Sequence, residues 1–457
     1  MPDLDKIIKA YDVRGVYPDE LDAELAQRVG AAFAIVVGAA RSAGGPGAVV
    51  VGRDMRPSGP ELVAAFQRGV TGQGVDVIDI GLASTDQLYF AAGSLALPGA
   101  MFTASHNPAR YNGIKLCRAG AVPVGQESGL AQIRAMVAEP ILPTPGPAGS
   151  VSTRDLLADY AAFLRGLVDL SDIRPLRVVV DAGNGMAGHT APAVLDVAGL
   201  DVVPLYFELD GTFPNHEANP IEPANLRDLE AAVLAEGADL GLAFDGDADR
   251  CFVVDERGEP VSPSALTCLI AQRELAKHPG APVIHNLITS AAVPEVIREN
   301  GGVPVRTRVG HSFIKAVMAE SGAVFGGEHS GHFYFTDFWR ADSGMLAALH
   351  TIAALGGAPA GTTLSALLAP YQRYTASGEI NSVVDDQAAA TERVRAAFAD
   401  QPGLTFDELD GLTITGPDWW VNVRPSNTEP LLRLNAEASD PAAMAELRDR
   451  VLSLIRR

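Results

Sequence analysis

The chain has 457 residues, of which 47% are hydrophobic and 20% charged, with a formal net charge of −21 and a pI near 4.8. This length calls for several domains, and the apolar content excludes an intrinsically disordered chain. The acidic balance excludes nucleic acid and anionic membrane as partners, so an anionic ligand must be captured by local positive groups. The opening, Met1-Pro2-Asp3-Leu4-Asp5, is acidic and lacks a signal-peptide core. Residues 30–40 form the longest apolar run, too short to span a membrane, and read as a buried helix.

A β-branched strand at 48–54 ends in a polar turn and precedes a helical pattern at 61–69. A short apolar segment, residues 99–102, leads into Thr103-Ala104-Ser105-His106-Asn107-Pro108. Asn107 before a proline predicts a loop, or a helix start at Pro108. Ser105 or Asn107 then reads as a helix cap, or Ser105 as a nucleophile or phosphate carrier. Tyr111-Asn112-Gly113 signals a turn. Ile114-Lys115-Leu116 then alternates, which places Lys115 on the face opposite its apolar neighbours. A Pro/Gly-rich linker covers 140–150. The strand-then-helix plan recurs at 177–183 with 190–198, and at 282–286 with 292–300, predicting three related α/β domains. After residue 370 the order changes to α+β, with strands at 378–384, 412–415, 420–423 and 431–436 and helices at 387–398 and 441–454.

Gly183-Asn184-Gly185-Met186-Ala187-Gly188 matches a dinucleotide fingerprint, with Glu208 as its acidic partner. Asp181-Ala182 directly before it is unusual for that motif, and a tight strand–helix turn is the preferred reading. Asp245-Gly246-Asp247-Ala248-Asp249-Arg250 ends an apolar run with three aspartates spaced by two. Three carboxylates so close repel one another unless a cation sits among them, and Mg²⁺ favours such oxygen ligands. A calcium loop would need glycine at its sixth position, where Arg250 stands, so a catalytic metal loop is preferred to a calcium module or a solvated acidic loop. Cys117, Cys251 and Cys268 lack metal-ligand spacing and read as reduced thiols of a cytoplasmic protein.

The serine and aspartate motifs together resemble those of the α-D-phosphohexomutase family. Residues 103–108 look like its phosphoserine loop and 245–250 like its metal loop. Gly327-Glu328-His329-Ser330-Gly331-His332 resembles its sugar-specificity loop, and Arg424-Pro425-Ser426-Asn427-Thr428-Glu429-Pro430 its phosphate clamp. The start, Lys9-Ala10-Tyr11-Asp12-Val13-Arg14-Gly15, is similar to the phosphomannomutase/phosphoglucomutase branch. The resemblance implies three related α/β domains with mixed sheets and a C-terminal α+β, TBP-like domain around a central cleft. Their expected spans are 1–149, 150–256, 257–370 and 371–457.

It also implies interconversion of hexose 6-phosphate and hexose 1-phosphate, of mannose and glucose, through phosphorylated Ser105 and a hexose 1,6-bisphosphate that also activates. A phosphoserine carries roughly −1.5 to −2 charge, so its place beside three aspartates requires a bridging Mg²⁺. Metal ligands would be Ser105, Asp245, Asp247 and Asp249. Catalytic groups would be Ser105, His106, Lys115, Arg250 and His332, with Lys115, lowered in pKa near cations, as a general acid/base. Substrate contacts would come from Tyr11, Arg14, Thr307, Gly310, His311, Glu328, Ser330, Arg424, Ser426, Asn427, Thr428 and Arg433. A monomer or dimer is expected. The alternatives are a phosphoglucosamine mutase, against which the Tyr11 to Gly15 opening speaks, and a non-catalytic sugar-phosphate-binding regulator.

Overall fold

The computed structural model describes residues 3–8, 11–40, 44–45, 47–426 and 431–457, with no side-chain description at 311 and 312. Two compact units emerge: residues 1–262 with 330–367, and residues 263–329 with 368–457. Among the described residues no helix is long and apolar enough to cross a membrane.

The first unit holds two sheets. In the larger, strand Ala48–Arg53 lies between parallel partners Gly99–Phe102 and Asp76–Leu82. Strand Tyr111–Arg118 returns antiparallel on Gly99–Phe102, and Val13–Val16 adds outside it. Strand Val151–Thr153, beyond the expected boundary at 149, pairs with Asp76–Leu82. In the second sheet, strand Leu176–Asp181 lies between parallel Leu240–Phe244 and Leu200–Leu205, and Cys251–Asp255 returns antiparallel on Leu240–Phe244. Every residue of Leu240–Phe244 is buried, as a continuous apolar run inside a layered sheet should be. The same unit carries the antiparallel pair Phe333–Phe335 and Ala341–Asp342.

The second unit repeats the plan, with Pro282–Asn286 between parallel Val303–Thr307 and Phe325–Gly327. It also holds a five-stranded antiparallel sheet in the order Thr375–Val383, Leu431–Ala438, Trp419–Pro425, Leu412–Thr415, Thr405–Asp407. Helices Gln387–Phe398 and Pro441–Ile455 bury Ala390, Val394 and Phe398, and Met444, Leu447, Val451 and Ile455, at the spacing of single helical faces.

The recurrence expected from sequence is therefore a topological one. In each α/β domain the third strand of the repeat, Gly99–Phe102, Leu240–Phe244 or Phe325–Gly327, runs straight into one motif loop. Ligand loops sit at the carboxyl ends of parallel strands for this reason. Two local expectations change. Residues 111–113 are extended and not a turn, because Gly113 pairs with Arg14 while its Cα faces carbonyls on both sides; a Cβ there would lie 2.6 Å from Val13 O and 2.7 Å from Thr103 O. The helix expected at 190–198 is Ala187–Val194, since the following residues turn through Gly199 at φ 92°.

Candidate active site

Ser105 sits in the turn after Gly99–Phe102, and no helix starts at Pro108. Its φ of 50° is left-handed, a strained conformation for a residue with a side chain. Thr103 Oγ1 accepts from Ser105 N at 2.8 Å. Ser105 Oγ lies 2.6 Å from Asp245 Oδ2 and 3.1 Å from His106 Nδ1. The first two motifs read from the sequence thus meet at hydrogen-bond distance.

Asp245, Asp247 and Asp249 are fully buried, with one carboxylate oxygen from each within 4.8 Å of the others. Lys115 Nζ donates to Asp247 Oδ2 at 2.7 Å and Asp249 Oδ2 at 2.5 Å. Thr85 Oγ1 also donates to Asp247 Oδ2, at 2.6 Å. Asp247 Oδ1 and Asp249 Oδ1 remain buried without a hydrogen-bond partner. Orphaned carboxylate oxygens in a ring of three aspartates fit a hard divalent cation. Asp249 also belongs to a second cluster with His332 and Asp342; His332 Nδ1 is 3.7 Å from Asp249 and 3.2 Å from Asp342.

Positive groups close the ring. Arg250 Nη2 donates to His106 Nδ1 at 2.8 Å, and Arg250 Nε lies 3.5 Å from Asp245 Oδ2. Arg250 faces the site and not Asp255, which pairs with Arg257. Arg14 donates to Asp12 and, at 2.5 Å, to Asn107 Oδ1, bracing the serine loop. Tyr11 is half-buried in the bend before Val13–Val16.

These charges set the protonation of the site. His106 is held well below its ordinary value by Arg250 first, then by burial and Arg14, so it stays neutral. For His332, burial would lower the pKa, but Asp249 and Asp342 outweigh it and raise it. Without a cation, Lys115 shifts upward. Burial lowers it, yet Asp247 and Asp249 raise it well above the ordinary value, because two carboxylates contact one ammonium. Burial, then Asp249 and Asp247, push Asp245 up to about 8. Burial would raise Asp247 too, but the contacts from Lys115 and Thr85 hold it below the usual carboxylate range.

A pH dependence follows for the metal-free protein. Asp245 titrates at about 8 when folded and at about 4 when unfolded, so the folded chain holds the extra proton between those values. The stabilisation is complete below the unfolded value and is lost as pH rises through the folded one. In chelator the thermal midpoint should fall between about pH 5 and 8 more steeply than with saturating Mg²⁺, where the cation replaces the proton. Equal slopes with and without Mg²⁺ would refute this.

In the second unit, Glu328 is buried and Oε1 accepts from Gly310 N at 3.3 Å and from Asn286 Nδ2 at 3.4 Å. Thr307 ends the neighbouring strand, paired with Asn286. Gly327 must be glycine, since a Cβ would lie 2.3 Å from Thr267 Oγ1. Ser330 is partly exposed in a turn of the first unit. Helix His311–Ser321 begins at His311, whose side chain lies outside the described set.

Arg424 is only 4% exposed, inside the C-terminal sheet. It pairs with Glu379 and donates to Asn435 Oδ1 at 2.9 Å. Arg433, its cross-strand partner, lies 3.3 Å from Glu379 and 3.4 Å from Ser426 Oγ. Asn427 and Thr428 lie outside the described residues.

Sequence reading missed Arg56, Thr85, Asp86 and Asp342, which carry no motif spacing. Asp86, buried, accepts from Ser84, from Tyr160 Oη at 2.7 Å and from Ser343 Oγ at 2.6 Å, and burial pushes it up to about 6. The glycine-rich segment has a packing role. A Cβ on Gly185 would lie 2.8 Å from Gly246 O, and one on Gly188 2.2 Å from Phe207 O. Backbone lies directly against both glycines, which fits the tight strand–helix turn preferred from the sequence.

Four family models match, described as phosphoglucomutase/phosphomannomutase α/β/α domains I, II and III and the C-terminal domain, over residues 5–142, 158–258, 262–374 and 379–454. The chain is 42% identical over 446 residues to a protein named phosphohexose mutases from Xanthomonas campestris pv. campestris, covering 97% of this chain and 98% of that one. It is 38% identical to a phosphomannomutase/phosphoglucomutase of Pseudomonas aeruginosa, covering 94% and 91%. A crystal structure of a phosphoglucomutase/phosphomannomutase family protein from Burkholderia thailandensis superposes with a TM-score of 0.89 at 36% identity, covering 100% and 98%.

Proposed function

The chain belongs to the phosphoglucomutase/phosphomannomutase family and is a phosphohexomutase; from that premise we propose that it interconverts the 1- and 6-phosphates of mannose and glucose. The observation that carries this reading is Ser105 Oγ at 2.6 Å from Asp245, one of three buried aspartates that Lys115 and Arg250 flank.

Phosphorylated Ser105 gives its phosphoryl group to the free hydroxyl at one end of the sugar. The resulting hexose 1,6-bisphosphate turns over and returns the other phosphoryl to Ser105, so added bisphosphate primes the enzyme. Asp245, Asp247, Asp249 and Ser105 would hold Mg²⁺, which when bound supplies Lewis-acid polarisation of the phosphoryl oxygens. Lys115 and His332 move protons to and from the sugar hydroxyls. A cation on Asp247 and Asp249 would draw charge away from Lys115 and lower its pKa toward the working range. Arg250 and His106 steady the phosphate, with Tyr11 and Arg14 beside them. Glu328, Ser330, His311, Gly310 and Thr307 contact the sugar, and the domains assigned to 1–149, 150–256, 257–370 and 371–457 carry one motif loop each. Three buried thiols fit a reducing, cytoplasmic setting.

Arg424, with Ser426, Asn427, Thr428 and Arg433, would hold the phosphate that is not being transferred. Glu379 now occupies its guanidinium, so the phosphate must compete with a carboxylate already in place. Losing a charge-assisted contact costs about 1.5–3 kcal/mol, or about one to two powers of ten in affinity. Arg424→Ala should raise KM for mannose and glucose phosphates by similar factors, read by steady-state kinetics on both sugars. A loss confined to one sugar would place Arg424 on the ring instead. The function as a whole is tested by following both 1-phosphates to their 6-phosphates.

A further inference from the structure

Arg56 lies just after strand Ala48–Arg53 and is 0% exposed. A guanidinium has five N–H donors in a fixed fork, and here all five are used. Nε donates to Asp54 Oδ2 at 3.2 Å. Nη1 donates to Pro108 O and to Tyr111 O, both at 2.9 Å. Nη2 donates to Ser105 O at 2.9 Å and to Asn107 O at 2.6 Å. Three of the five donors therefore end on carbonyls of the loop that presents Ser105, and a fourth on Tyr111 O, where the next strand begins.

We infer that Arg56 is a positioning residue for phosphoryl transfer, holding the Ser105 peptide in the left-handed conformation that aims Oγ at Asp245. The inference rests on the reading of Ser105 as the phosphoryl carrier. A serine at φ 50° persists only if its surroundings hold it. Its N–H is held by Thr103 Oγ1 and its C=O by Arg56 Nη2. The same C=O packs on Gly246, where a Cβ would lie 2.5 Å away. The contact to Tyr111 O fixes the root of the strand that carries Lys115, so one side chain sets both the carrier and the proton-transfer lysine.

Arg56 is itself immobilised. Asp54 Oδ1 accepts from Arg56 N at 3.0 Å. The Phe213 ring lies 5.3 Å from Arg56 Cζ. Gly211 leaves no room above the backbone, since a Cβ there would lie 2.7 Å from Arg56 Cα. A lysine keeps the charge but offers three donors at one point, so it cannot reach the four carbonyls.

The test is single-turnover phosphorylation of dephosphorylated full-length protein by glucose 1,6-bisphosphate, read by quenched-flow intact mass, alongside steady-state kinetics. Arg56→Lys should be phosphorylated to the wild-type amplitude with a rate constant lower by about 10–100-fold, matched by kcat, and KM within about threefold. A purely structural role would instead lower the amplitude, the fraction of competent molecules, and leave the rate constant intact; that result overturns the inference. If Arg56→Lys does not fold, Asp54→Asn decides, with the same pattern expected at about three- to tenfold; an unchanged rate constant there overturns it equally. Wild type that takes up no phosphate would defeat the carrier reading and the inference together, whereas phosphorylated wild type with unaffected variants defeats the inference alone.

Discussion

Ser105→Ala should remove mutase activity by roughly four or more powers of ten, the scale on which loss of a covalent carrier is felt. The hydroxyl is 2.6 Å from Asp245 and 3.1 Å from His106, so its removal deletes the group on which the phosphoryl resides and leaves the aspartates in place. The backbone contacts of residue 105 run through N and O, to Thr103 and Arg56, and survive in alanine. The fold should therefore persist, with an unchanged circular dichroism spectrum. Intact-mass analysis after incubation with hexose 1,6-bisphosphate should show one added phosphate on wild type and none on the variant. Full activity in Ser105→Ala would end the phosphoserine account.

Asp247→Asn should carry the second largest effect. Asp247 Oδ2 takes both Lys115 Nζ and Thr85 Oγ1, and its other oxygen is buried without a partner. The substitution keeps the shape and removes the charge. Losing a residue that merely supports a metal ligand typically costs about 10–100-fold in affinity or activity, so losing a ligand should cost no less. The Mg²⁺ concentration giving half-maximal activity should rise at least about tenfold, and kcat should fall even at saturation. The stability of the metal-free protein should separate the ligands. Asp245 is pushed up by burial first and by its two acidic neighbours next, so Asp245→Asn should stabilise the metal-free chain by removing a group whose charged form the folded site disfavours. Asp247 is already neutralised by Lys115, so Asp247→Asn should not. Thermal melts in chelator read both, and activity undiminished in strong chelator would contradict the metal role.

The residues that announce this site lie close together in sequence, which is why it was legible. Three aspartates at alternate positions and the loop from Thr103 to Pro108 each compress their chemistry into a few residues. The strand–helix recurrence was visible because buried strands are continuous β-branched runs. That each motif follows the same strand of its repeat was not visible, since the sequence similarity between repeats is weak. Arg56 and Asp342 escaped because their partners are backbone carbonyls or distant side chains. The Tyr111-Asn112-Gly113 segment misled because glycine there serves a close approach between strands, not a turn. Lys115 lies opposite Ile114 and Leu116, as alternation along a strand requires, but alternation does not reveal the two carboxylates it meets, which raise its pKa when no cation is bound.

The most direct measurement is phosphorus NMR of the purified full chain with Mg²⁺ and a trace of hexose 1,6-bisphosphate, given mannose 1-phosphate or glucose 1-phosphate. The account predicts that each 1-phosphate signal is replaced by that of the 6-phosphate, that the reverse reaction reaches the same ratio, and that chelator stops both. Unchanged spectra for both sugars, from folded protein carrying phosphate on Ser105, would contradict it.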